Sequence, residues 1–194
     1  TFYQSPANDN QYLAHGRDPL FPPWKDTVQI NFYEPEARKF LTNILLDLAE
    51  LCDGVRCDMA MLPLNNVFYN TWVGVLKKYG YQRPEKEFWE EAIAEVKSKR
   101  DDFIFIAETY WDLEWQLQKL GFDFTYDKKL TDRLAGGNVQ SVCDHLQAEE
   151  DYQNKSVRFL ENHDEERAIV KFGREKSLAA AIIISTVPGI AFYF

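Results

Sequence analysis

Three carboxylates stand where short apolar runs stop. Asp58 closes Val55-Arg56-Cys57, Glu108 closes Phe103-Ile104-Phe105-Ile106-Ala107, and Asp164 follows Val157-Arg158-Phe159-Leu160-Glu161 by way of Asn162-His163. Runs of this length and composition read as buried strands. Side chains alternate between the two faces of a strand, so Arg56 and Asp58 share one face while Val55, Cys57 and Met59 share the other. Burying charge is costly unless the groups are paired or used. Two readings of the Arg56-Asp58 pair are therefore open, a salt bridge at a strand edge and a group set for chemistry. Glu108 likewise reads as a helix cap or as a reactive carboxyl, and His163-Asp164 as a capping pair or as part of a site.

The spacing of the three favours chemistry. Helical sequence separates the runs, and carboxylates gathered at the carboxyl ends of successive strands are the layout of an active site in a parallel β/α barrel.

These residues resemble the α-amylase family of retaining glycoside hydrolases. GVRCD resembles its nucleophile motif, G-x-R-x-D; FIFIAE resembles the strand that ends in its acid/base glutamate; FLENHD resembles its F-x-x-N-H-D motif. The three occur in the family's order, and the resemblance extends from about Gly16 to the end of the chain. It implies Asp58 as nucleophile, Glu108 as general acid/base and Asp164 as the carboxylate that binds sugar hydroxyls and steadies the transition state. Arg56, Asn162, His163 and Trp111 are the implied substrate-binding residues. The implied substrate is an α-glucan or maltooligosaccharide of the starch or glycogen type, opened by double displacement. Water as acceptor gives hydrolysis and a sugar gives transglycosylation; a glycan-binding relative without catalysis is a further alternative. Many amylases follow the nucleophile with Lys-His, and that histidine's backbone helps to hold a structural calcium. Here Met59-Ala60-Met61 follows, so calcium remains compatible with the resemblance but has no motif behind it.

The physical chemistry agrees with the implied roles. Arg56 beside Asp58 favours an ionised carboxylate ready to attack. Glu108 leaves an apolar strand with Tyr110 and Trp111 nearby, and such surroundings raise a carboxyl pKa and keep its proton available. Glu165 and Glu166 read as caps of the following segment, Asp53, Asp123 and Asp127 as structural, and His15 and His145 have no evident partner.

Composition narrows the partners. The chain carries 22 basic and 31 acidic residues with no basic cluster, which argues against nucleic acid and anionic membrane. The longest apolar run, 178–187, is too short to cross a bilayer. No signal-peptide pattern opens the chain, which favours the cytoplasm, although the chain reads as starting within a longer one. Cys52, Cys57 and Cys143 follow no metal spacing and read as free, mostly buried thiols.

The expected class is α/β, part of a (β/α)8 barrel covering about strands 4 to 8. Residues 1–34 read as the irregular end of an excursion after barrel strand 3, and 35–194 as the partial catalytic barrel. VQIN lies where family members carry a short motif with an acid, a place held here by Gln29. Tyr12, Phe21 and Trp24 read as loop anchors or as neighbours of a sugar site. Helices are expected over 35–51, 84–100, 113–120, 139–147 and 174–186, with a helical start over 128–134. Residues 62–80 read as a long aromatic connection that could wall a cleft. Five strands fall short of the eight a closed barrel needs, so the first three, with the family's first motif, are expected to precede Thr1.

Overall fold

The computed structural model describes residues 2–194. They form two compact units, one from the chain up to Asp53 with Met61–Phe103, the other from Gly54–Ala60 with Ile104–Phe194.

In the first unit, β1 (Phe2–Ser5), β2 (Asn8–Gly16) and β3 (Trp24–Val28) form a three-stranded antiparallel sheet in the order β1-β2-β3. This corrects the reading of this stretch as irregular. Most side chains along these strands are exposed, so an apolar alternation, the usual sign of a half-buried strand, is missing from the sequence. Helices α1 (Pro35–Leu51), α2 (Asn65–Tyr79) and α3 (Phe88–Lys99) complete the unit. Pro35 opens α1, where its missing N–H costs nothing. Helix α2 replaces the expected connection. It packs Phe68 and Leu76 against Tyr33, and Gly80 closes it in the left-handed conformation at φ 72°. Asp53 pairs with Arg100 at 2.6 Å, the structural role expected of it.

The second unit is built on β4 (Gly54–Cys57), β5 (Ile104–Ala107), β6 (Phe124–Tyr126), β7 (Ser156–Arg158) and β8 (Ile190–Ala191), hydrogen-bonded in sequential order and all parallel. Helices α4 (Glu114–Lys119), α5 (Lys128–Gly136), α6 (Val139–Leu146), α7 (Glu150–Asn154), α8 (Ala168–Phe172) and α9 (Arg174–Thr186) lie between these strands in the chain. A parallel sheet whose spatial order is its chain order, with helical connections, is part of a β/α barrel. The five-strand count and the order match the expectation, while α7 and α8, too short to show a period, do not appear in the sequence reading.

Phe105 and Ala107 of β5 are fully buried on one face, and Phe105 meets Phe122 edge-on at 6.2 Å. On β6 to β8 a second cluster joins Tyr126, Val157 and Phe159, with Ile106 and Phe192 packed against it. Leu130, Leu134, Leu160, Phe172, Ala180 and Ile184 form the layer between α5, α8 and α9. The turn into β8 needs Gly189, whose φ is +113° and where an added Cβ would stand 2.3 Å from the Ser156 carbonyl oxygen.

No disulfide forms among the described residues. Burial raises the Cys57 thiol to about 12, but Cys52 and Cys143 are exposed, which corrects the expectation of mostly buried thiols. Cys52 follows the last residue of α1, and Cys143 lies on an exposed side of α6. Among the described residues no helix is long and apolar enough to cross a membrane.

Candidate active site

The site begins in the register of two strands. Gly54 faces Ile104 and Cys57 faces Ala107, so Asp58 and Glu108 are the next residues of adjacent parallel strands. The pairing continues past them: the Glu108 N–H donates to the Cys57 carbonyl at 3.0 Å and the Ala60 N–H to that of Glu108 at 2.9 Å. Neighbouring strands run about 4.8 Å apart, so two side chains at one level leave backbones separated by that distance. Gly54 permits this closeness, since a Cβ there would stand 2.6 Å from the Ile104 carbonyl oxygen.

One guanidinium joins the two carboxylates. Arg56 Nη1 donates to Asp58 Oδ1 at 2.7 Å, and Nη2 lies 2.8 Å from Glu108 Oε2. The salt-bridge reading of the Arg56-Asp58 pair is thus realised, with Glu108 as a third member the sequence did not show. Burial works against the Arg56 charge, but a hydrogen bond with Tyr126 and the charges of Glu108 and Asp58 outweigh it and hold its pKa above the ordinary value. Its guanidinium also sits 5.8 Å from the Tyr126 ring centroid.

Glu108 and Asp58 meet solvent very differently, with side chains 2% and 74% exposed. Glu108 Oε2 also accepts the Met59 N–H at 2.9 Å, and Oε1 accepts the Tyr110 hydroxyl at 2.9 Å. Burial raises the Glu108 pKa, as does its hydrogen bond with Asp58; the Met59 N–H, Tyr110 and Arg56 oppose that shift without cancelling it. The expected direction is present, but Tyr110 works against it, because its hydroxyl stabilises the ionised form. Glu108 caps no helix. The Tyr110 phenol is itself pushed up by burial and by Glu108, with smaller contributions from Asp164 and Glu165, which brings Asp164 into the same electrostatic neighbourhood.

Asp164 lies in the turn after β7. Its Oδ2 is 3.0 Å from His163 Nε2, and both side chains are open to solvent. Asn162 is buried, and its Oδ1 accepts the Asp164 N–H at 2.9 Å. Asn162 therefore orients the turn. Trp111, half-buried, follows Tyr110 in left-handed backbone at φ 64°, as does Asp112 at φ 64°, and Met59 has φ 44°. Three non-glycine residues in this region beside the carboxylates are stored backbone strain of the kind that gathers at functional sites.

Sequence reasoning missed the Met59 N–H and Tyr126. A backbone donor has no side-chain signature; Tyr126, the last residue of β6, could have been found as one more polar group at a strand end.

Several secondary expectations change. Glu161, not Glu165 or Glu166, accepts the N–H at the start of α8, from Ala168. Glu165 pairs instead with Lys128 and Lys171, each at 3.1 Å. Asp123 accepts the Phe105 N–H at 2.8 Å, and Asp127 caps α5 through Leu130, as structural residues do. His145 is no orphan: its Nε2 lies 2.7 Å from Asp127 Oδ2 within a buried cluster that includes Arg158. Among the described residues no group of three or more His, Cys, Asp or Glu side chains is placed to hold a metal ion.

The parallel sheet, in chain order with helices between its strands, defines a class, part of a β/α barrel. The comparisons give it relatives. No protein-family model matches the chain. It is 28% identical over 173 residues to the α-amylase MalA of Haloarcula japonica, an alignment covering 86% of this chain and 23% of that protein. Its fold matches the cyclic α-maltosyl-(1→6)-maltose hydrolase of Arthrobacter globiformis in complex with maltose, with TM-score 0.68 and 19% identity over 93% of this chain and 40% of that one. An α-amylase from Lactobacillus plantarum matches with TM-score 0.64 and 22% identity, covering 99% of this chain and 44% of that one. The resemblance read from the motifs is borne out: the chain is a relative of α-amylase family glycoside hydrolases over part of their length.

Proposed function

We propose that this chain carries the catalytic carboxylates of a retaining α-glycosidase acting on α-linked glucans. The observation that carries the reading is the Arg56 bridge between Asp58 and Glu108 at one level of adjacent strands, with the Glu108 pKa raised. Retaining glycosidases hold their two carboxyl groups about 5 to 5.5 Å apart, a spacing that adjacent parallel strands supply without distortion.

The exposed Asp58 carboxylate attacks the anomeric carbon. As that bond forms, the glycosidic C–O bond breaks and its electron pair takes the proton held by Glu108. The product is a glycosyl ester on Asp58 and an ionised Glu108, which Arg56, Tyr110 and the Met59 N–H stabilise. Glu108 then removes a proton from the acceptor, whose oxygen attacks the same carbon and releases Asp58. Asp164 and His163, both open to solvent, bind sugar hydroxyls, Asn162 orients them, and Trp111 offers a ring beside the acid. The maltose held by the Arthrobacter hydrolase is consistent with an α-glucan as ligand. With water as acceptor the outcome is hydrolysis; with a sugar it is transglycosylation, and product analysis with and without added maltose separates them.

The test is incubation of the full natural protein with an activated fluorinated α-glucosyl inactivator, then intact mass and peptide mapping. An adduct on Asp58 is expected. No adduct, on protein shown to be folded, would return the weight to a glycan-binding relative.

A further inference from the structure

Helix α5 begins with two lysines where a helix favours acids. Lys128 and Lys129 are its first two residues, and its first turn carries no acidic side chain, although the macrodipole disfavours cations at a helix N-terminus. The pair that Lys128 makes with Asp132, one turn on at 2.8 Å, has the lysine on the N-terminal side, the weaker of the two orders. Helix stability therefore accounts for neither lysine. Their other partners do. Lys128 Nζ lies 3.1 Å from Glu165 Oε1, and Lys129 pairs with Asp112. Glu165 follows Asp164 in the turn after β7, and Asp112 follows Trp111 in the turn after β5. Adjacent residues of one helix thus hold the turn that supplies Tyr110 to Glu108 and the turn that carries His163 and Asp164.

The base from which the lysines project is fixed. Asp127, the residue before them, caps α5 and is itself paired with the buried Arg158 of β7. The two turns need holding for different reasons. Trp111 and Asp112 both have φ 64°, and left-handed backbone at such residues persists only where the surroundings impose it. On the inner side the Tyr110 hydroxyl fixes this turn to Glu108 Oε1 at 2.9 Å; on the outer side Lys129 holds Asp112. In the turn after β7, His163 and Asp164 are open to solvent, and the tie is at Glu165, where Lys171 of α8 joins Lys128 at 3.1 Å. The turns are near enough for the charges of Asp164 and Glu165 to act on the Tyr110 phenol. Ion pairs at a surface add little to overall stability, so what these add is position. We infer that Lys128 and Lys129 are positioning residues: by pinning both turns to one helix end, they set the gap in which a sugar ring fits between His163–Asp164 and Tyr110–Trp111. The inference rests on the proposed function of the Asp58–Glu108 pair.

The experiment uses the full natural protein and compares wild type with Lys128→Met, Lys129→Met, Asp112→Asn, and Lys128→Arg and Lys129→Arg as controls, each checked for folding by its melting temperature. Methionine keeps the stem and drops the charge. Asparagine tolerates left-handed backbone, so at position 112 it removes the charge and spares the conformation. Hydrogen exchange is read first. Lys129→Met and Asp112→Asn should speed exchange over 109–113 by about threefold or more and leave 162–166 as in wild type, and Lys128→Met should do the reverse. Kinetics on a short maltooligosaccharide should split the same way. Loosening Tyr110 takes a stabilising donor from ionised Glu108, so the alkaline limb of kcat/KM moves to higher pH and kcat falls about threefold. Loosening the Asp164 turn raises KM about fivefold and leaves the limb in place. Arginine should restore most of both. Parallel losses in the two methionine variants with an unmoved limb overturn the inference, as do arginine variants no better than methionine or an Asp112→Asn protein that behaves as wild type. A wild type that neither turns over nor labels at Asp58 is a different failure, of the proposed function, and the positioning role falls with it.

Discussion

The Tyr110 hydroxyl stands 2.9 Å from Glu108 Oε1 and donates to it, opposing the rise in pKa that burial imposes on the same carboxyl. Opposed influences hold an acid/base group where it can both give and take a proton. Tyr110→Phe removes the donor and keeps the ring, so the Glu108 pKa is expected to rise further. If Glu108 is the general acid, the alkaline limb of the kcat/KM profile moves to higher pH, and the maximal rate falls about fivefold, the worth of one such bond. An unshifted limb would remove Glu108 from the acid role.

Glu108→Gln separates acid from nucleophile. Protonation matters only when the leaving group is poor, so turnover of a native α-glucan should fall by about 10² to 10⁴. An α-glucoside with a strongly activated leaving group should keep its first step and show a burst as the glycosyl ester accumulates. Asp58→Asn should lose both activities, by about 10⁴-fold or more, while its exposed side chain leaves stability unchanged. Rapid-quench kinetics on the two variants reads the difference; identical profiles would refute the division of roles.

How much of this was legible depended on whether a residue's partner lay in a strand register. Asp58 and Glu108 announced themselves because strand ends are visible as the ends of apolar runs, and the parallel order follows from the helices between them. Their joint hold on Arg56 was not visible, since it arises from the level at which β4 meets β5. The first three strands were missed because their side chains are largely solvated and carry no alternation to read. Helix α2 was missed for a different reason: its apolar stripe is broken up by aromatic residues that stay exposed, such as Tyr79. His145 seemed partnerless because Asp127 is 18 residues away in sequence and Arg158 lies on another strand.

Glu165 gives a pH-dependent contribution to stability. Burial works against its ionisation, but hydrogen bonds and charge from Lys128 and Lys171 prevail and hold its pKa below the ordinary carboxylate value. A carboxyl whose pKa is lower folded than unfolded binds fewer protons when folded. Its stabilisation is therefore present above the ordinary glutamate range and is lost as pH falls through the folded pKa. Glu165→Gln should cost about 1 kcal/mol at neutral pH, and urea titrations should show the gap between variant and wild type closing in acid. A gap independent of pH would mean that packing, not charge, is what the substitution removes.

Arg158 and Asp127 form an ion pair inside the second unit, with side chains 0% and 1% exposed. Arg158 Nε also donates to the Pro188 carbonyl at 3.0 Å, Nη2 reaches the Gln153 side chain, and Asp127 receives His145. Burial lowers the Arg158 pKa, since desolvation disfavours its charge, and Asp127 is the main influence opposing that shift. Removing one partner leaves the other buried and uncompensated, at a cost of about 3 to 5 kcal/mol. Asp127→Asn, which keeps an acceptor for the Leu130 N–H at the start of α5, and Arg158→Met should therefore each destabilise the protein by about that amount. The double variant leaves no unpaired charge and should recover more than half of the summed loss. Urea unfolding of the four proteins gives the coupling directly; additive losses would mean that the two residues act through separate contacts, and that the pair does not join β6 to β7 as one unit.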